Sequence, residues 1–260
     1  MKAVVLVGGM GTRLRPLTFA VPKPLLAVGD KPILQLIIEQ LRNAGCDEIA
    51  LATGYLAELV QAFCGDGSRF GVNIYYLQES QPLGTAGPLW QTRGRIARDE
   101  FFILMNGDII TQLDFADFLR FASRRQYDLT VGYVEHTYQS PYGVLAIDSN
   151  SEVAGIIEKP EVHQCISGGV YALKGAALDH IPDREFFTMP DLIQKLRSLN
   201  RPVGAYHIRD FWVGVEELGH IEKAHEALNG GRWAGGRSSA ASGAPGASRT
   251  YDDVVTRSFE

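Results

Sequence analysis

The sequence predicts an α/β domain built in three layers, a mostly parallel mixed sheet with helices on both faces. Three observations carry this expectation. Residues 3–7, Ala-Val-Val-Leu-Val, form an uninterrupted apolar run that reads as a strand buried on both sides and opens directly into a glycine-rich loop. Over the first 125 residues, short apolar runs then alternate with stretches of helical length and pattern. With 260 residues and 45% hydrophobic content, the chain can bury a full core as one domain.

Taken in order, residues 32–44 predict a helix, with Pro32 at its first turn and Gly45 just past its end. Residues 48–53 predict a strand, 55–63 a helix stopped by Gly65, and 72–77 a further strand. Residues 84 to about 97 read as helical, 101–105 as a strand of buried types, and 114–123 as a helix capped by Asp114. The middle changes character: residues 129–134, 143–147, 153–157 and 169–173 are short strands split by turn residues, an extension of the sheet that carries loops. Residues 190–199 read as a helix, 203–208 as a strand and 217–228 as a last helix. From residue 229 the composition collapses into Gly, Ser, Ala and Arg, so residues 1–228 are expected to form the domain and 229–260 a flexible low-complexity tail.

Composition excludes several classes. A net charge of −5 without a Lys/Arg block argues against nucleic acid or an acidic membrane as partner. Three widely spaced cysteines, with no Cys-x-x-Cys, argue against a disulfide scaffold or a zinc site and for a reducing, cytoplasmic setting. The apolar start is broken at Gly8 and has no small-residue cleavage site, so it does not read as a signal peptide, and no run approaches the roughly 20 apolar residues of a membrane span. The six histidines show no metal-ligand spacing and read as surface residues.

The chemistry concentrates at the opening loop. Gly8, Gly9 and Gly11 let backbone N–H groups approach a ligand, Thr12 adds a hydroxyl, and Arg13 and Arg15 add guanidinium groups. Lys23 stands between two prolines that fix its backbone. This is neither a Walker loop, which needs Gly-Lys-Ser/Thr, nor a dinucleotide fingerprint, since Leu14 replaces the third glycine. The set predicts a polyphosphate site. Asn106-Gly107-Asp108 follows a buried strand, at the end of a parallel sheet where ligands bind. A carboxylate facing polyphosphate there suits Mg²⁺. The stretch from Gln78 through Glu79 to Gly84, Thr85 and Gly87 follows a strand and is expected to open a helix whose N-terminus attracts anions. Glu158-Lys159-Pro160 sets a carboxylate and an ammonium after another strand; alone, it reads as a solvated charge pair.

In this order, GGMGTRLRPLT with Pro22-Lys23-Pro24, PLGTAG, Asn-Gly-Asp108, Pro-Tyr-Gly143, Glu158-Lys159-Pro160 and Gly168-Gly169-Val-Tyr171 resemble the sugar-1-phosphate nucleotidylyltransferases, most of all their mannose-1-phosphate guanylyltransferase-like branch. The resemblance spans residues 1 to about 228. It implies the Rossmann-like nucleotide-diphospho-sugar transferase fold and a reaction in which a sugar 1-phosphate displaces pyrophosphate from an NTP, with no covalent enzyme intermediate. It also implies that Gly8, Gly9, Gly11 and Thr12 cradle the nucleotide with Gly84 and Thr85, that Arg13 faces the leaving pyrophosphate, and that Lys23 holds phosphate oxygens between the reactants. Asp108 would hold Mg²⁺, Gly143, Glu158 and Ser167 would meet the sugar, and Lys159 its phosphate. Relatives of this kind are often homo-oligomers. The reading requires Arg13, Lys23, Asp108 and Lys159 to surround one cleft.

Base choice follows from chemistry. Glu79 stands five residues before Gly84, where UTP- and dTTP-using relatives carry Gln. A carboxylate accepts two parallel hydrogen bonds, which guanine offers on N1 and N2, so GTP is expected, with dTTP, UTP, CTP and ATP as alternatives. Two departures stand out. The family usually carries Trp-x-Asp-Ile-Gly with a second metal carboxylate; here Trp212-Val213-Gly214 puts glycine in its place. Asp210 lies about 13 Å upstream in an extended chain and Glu216 about 7 Å downstream. Ser167 replaces the usual Asn, which leaves the sugar open to a heptose or an aminosugar. The missing carboxylate also leaves open a catalytically weak regulator that binds nucleotide sugar.

Overall fold

The structure, a computed structural model, describes residues 1–79 and 81–229; the predicted tail lies, from residue 230, outside the described residues. Strand β1 (Lys2–Leu6) leads into three short 3-10 turns at Thr12–Leu14, Leu17–Phe19 and Lys23–Leu25, and then into a small clip of β2 (Ala27–Val28) and β3 (Lys31–Pro32). The first half continues with α1 (Ile33–Asn43), β4 (Glu48–Thr53), α2 (Ala57–Cys64), β5 (Asn73–Gln78), β6 (Phe101–Asn106), β7 (Ile109–Thr111) and α3 (Phe115–Arg125). The second half contributes β8 (Leu129–Gln139), β9 (Val144–Ile147), β10 (Val153–Ile157), β11 (Glu161–Lys174), α4 (Met189–Ser198), β12 (Val203–His207), β13 (Trp212–Gly214) and α5 (Leu218–Asn229).

Seven strands form the main sheet in the order β12-β8-β11-β6-β1-β4-β5. β6, β1, β4 and β5 are parallel, β11 runs antiparallel between β6 and β8, and β12 is parallel to β8. The sheet is therefore mostly parallel and mixed. Strand alternation divides each central strand between two cores: Val5 and Val7 face the side covered by α1, α2, α3 and α5, while Val4 faces the side covered by α4 and the turns around Leu89 and Leu178. Three layers result.

The order places a topological switch beside β1. The chain leaves β1 for β4 and β5 on one side, then returns to lay β6 on the other. The crevice past the carboxyl ends of β1 and β6 is where an open α/β sheet binds ligands. The glycine loop leaves β1 there, Asn106-Gly107-Asp108 leaves β6 there, and the Gly107 amide donates to the Leu6 carbonyl at 2.8 Å.

Several expectations are corrected. Residues 84–97 are not an α-helix: Gly87–Thr92 is a short 3-10 run. The amides of Ala86 and Gly87, which a helix start would leave unpaired, both donate to the Phe187 carbonyl at 2.9 and 2.8 Å, so no anion site forms on them. Strands β8 and β11 extend well beyond the predicted 129–134 and 169–173, because their polar outer halves pair with each other from Glu161–Gln139 to Ser167–Tyr133, a long-range partnership without a local hydrophobic signal. Helix α4 begins one residue earlier than expected, set by a Thr188/Asp191 capping box. Among the described residues no helix is long and apolar enough to cross a membrane.

Candidate active site

Two cavities share a wall at Asn106 and Asp108. The first, about 300 Å³, brings together Gly8, Gly9, Lys23, Glu79, Gly84, Thr85 and Asp108 from the predicted set. Its floor is the ends of consecutive parallel strands. Gly8 at the end of β1 lies against Gly54 at the end of β4, where a Cβ on Gly8 would come within 3.1 Å of the Gly54 nitrogen and 3.2 Å of Glu79 Oε2. Glycine at this position keeps two backbones and a carboxylate in direct contact.

Asp108 is the centre. Its Oδ2 accepts from the Lys23 ammonium, which the turn Lys23–Leu25 and the buried Pro24 aim into the crevice. Its Oδ1 is buried and has no hydrogen-bond partner among the described residues. Its carbonyl accepts from the Val215 amide at 2.9 Å, which ties the end of β13 to this loop. A buried carboxylate oxygen left unpaired is costly unless something supplies positive charge. A hard divalent cation fits that oxygen. Among the described residues no group of three or more His, Cys, Asp or Glu comes together as a complete metal cluster, so Asp108 would be the anchor rather than one arm of a protein cage.

Glu79 stands on the opposite wall. Its Oε1 accepts from the Leu83 amide at 3.0 Å, and burial pushes its pKa above the usual carboxylate range against that stabilising bond. Gly84 adopts φ +78°, and a Cβ there would lie 2.7 Å from the Phe187 carbonyl, so the loop crosses that segment only as glycine. The Thr85 hydroxyl accepts from the Met189 amide at 2.8 Å. Thr85 thus braces the loop against the start of α4 while lining the cavity.

The second cavity, about 900 Å³, opens on the other side of Asp108 and takes in Ser167. A bulge shifts the register of β11 against β8 between Ser167 and Val170, with Gly169 at φ +67°. The bulge turns the Gly168 carbonyl to accept from Trp212 Nε1 at 2.8 Å and sets Ser167 Oγ 2.9 Å from the Tyr171 hydroxyl. Gly214 lies opposite Ile109 in the β7–β13 pair, beside Asp108, and lines this cavity with Asp210 and Glu216.

Other predicted residues lie further out. Gly11 (φ +58°) packs against Thr18 and Lys23 and caps the turn that carries Thr12 and Arg13; none of the three lines either cavity. Arg13 reaches the site through an ion pair with Glu216. Gly143 and Glu158 adjoin each other, since a Cβ on Gly143 would meet Glu158 Oε2 at 3.0 Å, but they and Lys159 (φ +46°) flank the β9–β10 ribbon, outside the walls of both cavities. Lys23 and Asp108 therefore come together where the two cavities meet, Arg13 is joined to them through Glu216, and Lys159 lines neither cavity.

With this geometry in view, the sequence matches the family described as Nucleotidyl transferase over residues 2–229. The chain belongs to the nucleotidyl transferase family. It is 41% identical over 222 residues to the rice (Oryza sativa subsp. japonica) protein named "Probable mannose-1-phosphate guanylyltransferase 1", covering 83% of this chain and 61% of that protein. To the mannose-1-phosphate guanyltransferase of Schizosaccharomyces pombe it is 36% identical over 221 residues, with the same coverage. The chain thus spans about three fifths of the length of these curated relatives. HddC from Yersinia pseudotuberculosis, solved also in complex with GMP-PN, superposes with a TM-score of 0.68 at 26% identity, over 88% of this chain and 99% of that one. The fold is that of the nucleotide-diphospho-sugar transferases.

The second cavity also holds residues that sequence reasoning passed over. His136, His207 and His220 line it, although the histidines read as surface residues. His207 stacks on Tyr133 with ring centres 4.8 Å apart and planes 9° off parallel, and His220 Nδ1 accepts from the Glu216 amide at 3.1 Å. The available signal was weak: Tyr133, inside β8, and His207, at the end of β12, lie on two strands that pair only in the folded sheet.

Proposed function

We propose that residues 1–228 transfer a nucleotidyl group from an NTP, with GTP preferred, to a sugar 1-phosphate, releasing pyrophosphate. The observation that carries this reading is the placement of Asp108 and its paired Lys23 where two cavities meet, one opening on the glycine loop and Glu79, the other on Ser167. Two anionic reactants entering from opposite sides come together at that point. The names of the curated relatives and the GMP-PN complex of HddC support the same reading.

In the proposed reaction a phosphate oxygen of the sugar phosphate attacks the α-phosphorus in line as the bond to pyrophosphate breaks. Positioning and charge neutralisation then carry the catalysis. Gly8 and Gly9 admit the nucleotide close to the backbone, Lys23 meets phosphate oxygens at the centre, and Arg13 meets the departing pyrophosphate. Mg²⁺ held on Asp108 would supply neutralisation of the triphosphate charge. Ser167 faces the sugar, while Gly143 and Glu158 are assigned to the sugar and Lys159 to its phosphate on motif match alone. A panel of NTPs against sugar 1-phosphates, read by product mass, tests the reaction. Absence of any nucleotide sugar from every pair would reject it in favour of a regulator that only binds, the reading that Gly214 in place of a metal carboxylate favours.

The base preference rests on Glu79. Its carboxylate can accept from guanine N1–H and N2–H₂ together, whereas an amide suits the single donor between two acceptors of uracil or thymine. Glu79→Gln is expected to lower kcat/KM for GTP by about tenfold or more, the loss of one charge-assisted bond, and to raise relative use of UTP and dTTP. Burial raises the pKa of Glu79, so its carboxylate protonates, and GTP use falls, at a higher pH than for an exposed glutamate. A kcat/KM profile whose acidic limb survives Glu79→Gln would contradict this assignment.

A further inference from the structure

Arg13 and Glu216 bridge the rim of the site: one follows β1, the other follows β13, and their side chains form an ion pair. Arg13 is 75% exposed and Glu216 46%, so water competes for both and the pair is held weakly. β13 ends at Gly214, the next amide, that of Val215, donates to the Asp108 carbonyl at 2.9 Å, and Gly214, Glu216 and Asp108 line the same cavity. Asp108 keeps one buried oxygen without a partner among the described residues. Asp210, His220 and Lys223, and further along Glu135, His136 and Arg209, are among the other charged or titratable groups lining that cavity.

We propose that Glu216 is the second carboxylate for a divalent cation seated on Asp108, and that Arg13 holds it in reserve until a triphosphate draws the guanidinium away. The inference deepens the reading under Proposed function and rests on it. No covalent bond changes; two ion pairs exchange partners. The direction follows from chemistry: a guanidinium fork binds phosphate oxygens bidentately, whereas a hard divalent cation prefers carboxylate oxygen. Of the other carboxylates lining this cavity, Asp210 precedes β13 and Glu135 faces His207 at 3.9 Å; the one that Arg13 engages is Glu216.

The test is a Mn²⁺ titration of the full chain without nucleotide, following the free-ion signal by electron paramagnetic resonance. Arg13→Gln, which releases Glu216, is expected to tighten Mn²⁺ binding about tenfold, as one added carboxylate ligand would. Arg15→Gln, the same loss of charge on the same loop, leaves the affinity within about twofold of wild type if the effect is specific. In the Arg13→Gln background, Glu216→Gln removes the gain and Asp210→Asn retains it. No gain with Arg13→Gln, an equal gain with Arg15→Gln, a gain that survives Glu216→Gln, or one lost with Asp210→Asn would each overturn the proposal. The substrate panel reports separately: nucleotide sugar formed without the Mn²⁺ effect rejects the exchange alone, and no nucleotide sugar from any pair rejects the reaction.

Discussion

Asp108→Asn is expected to lower nucleotide-sugar formation by about 10²–10³-fold, the scale of removing one preorganised electrostatic element from an active site. The carboxylate does two things at once: Oδ2 neutralises the Lys23 ammonium, and the buried Oδ1, which has no hydrogen-bond partner among the described residues, offers an acceptor on a residue that lines both cavities. Asparagine keeps the shape but not the charge. It leaves Lys23 without its ion partner and presents either a weaker acceptor or an N–H₂ toward phosphate and cation. Steady-state rates at saturating substrate, beside the circular dichroism spectrum, check the expectation. A variant that folds and keeps wild-type kcat would remove Asp108 from the chemistry.

Gly107→Ala is expected to lower kcat/KM by about 10²-fold although it removes no functional group, because displacements near 1 Å at a reacting centre have that effect. A Cβ at Gly107 would stand 2.7 Å from the Leu6 carbonyl oxygen and 2.7 Å from Val7 Cγ1. The oxygen belongs to the backbone of the central strand, so the loop bearing Asp108 must move instead, and the Gly107–Leu6 hydrogen bond of 2.8 Å is strained or lost. The accompanying loss of stability is of the order of overpacking, about 1–3 kcal/mol. Gly219→Ala, where nothing lies within 4 Å of the added atom, serves as the comparison in chemical denaturation and kinetics. Equal behaviour of the two variants would show that the β1–β6 junction tolerates movement.

The parts of the fold legible in the sequence are those decided locally. The run 48–53 is a strand with those bounds because its apolar residues serve both cores, and Asp114 caps α3 by accepting from the Asp117 amide at 2.9 Å. The loop chemistry around Lys23 and Asp108 was legible for the same reason: both motifs sit directly after strands of a parallel sheet, where position follows from topology. What the sequence concealed depends on distant partners. Residues 84–97 carry a helical pattern, but the Phe187 carbonyl, about 100 positions away, takes the amides that would start the helix. The second cavity draws its histidines from β8, β12 and the start of α5, whose ends meet only after the sheet closes. Lys159 was placed by motif alone, and it follows the β9–β10 ribbon and lines neither cavity.

The crossing-over of the chain at β1 has a further consequence for how this protein can be studied. The two neighbours stitched together by Gly107 and Leu6 are separated in synthesis by all of β4, α2 and β5. A fragment ending before β6 would hold the glycines but not the aspartate, and no shorter piece reconstitutes the junction. Occupancy by nucleotide should therefore slow hydrogen exchange in β1 and β6 together, making ligand protection a readout of whether the entire front half has closed.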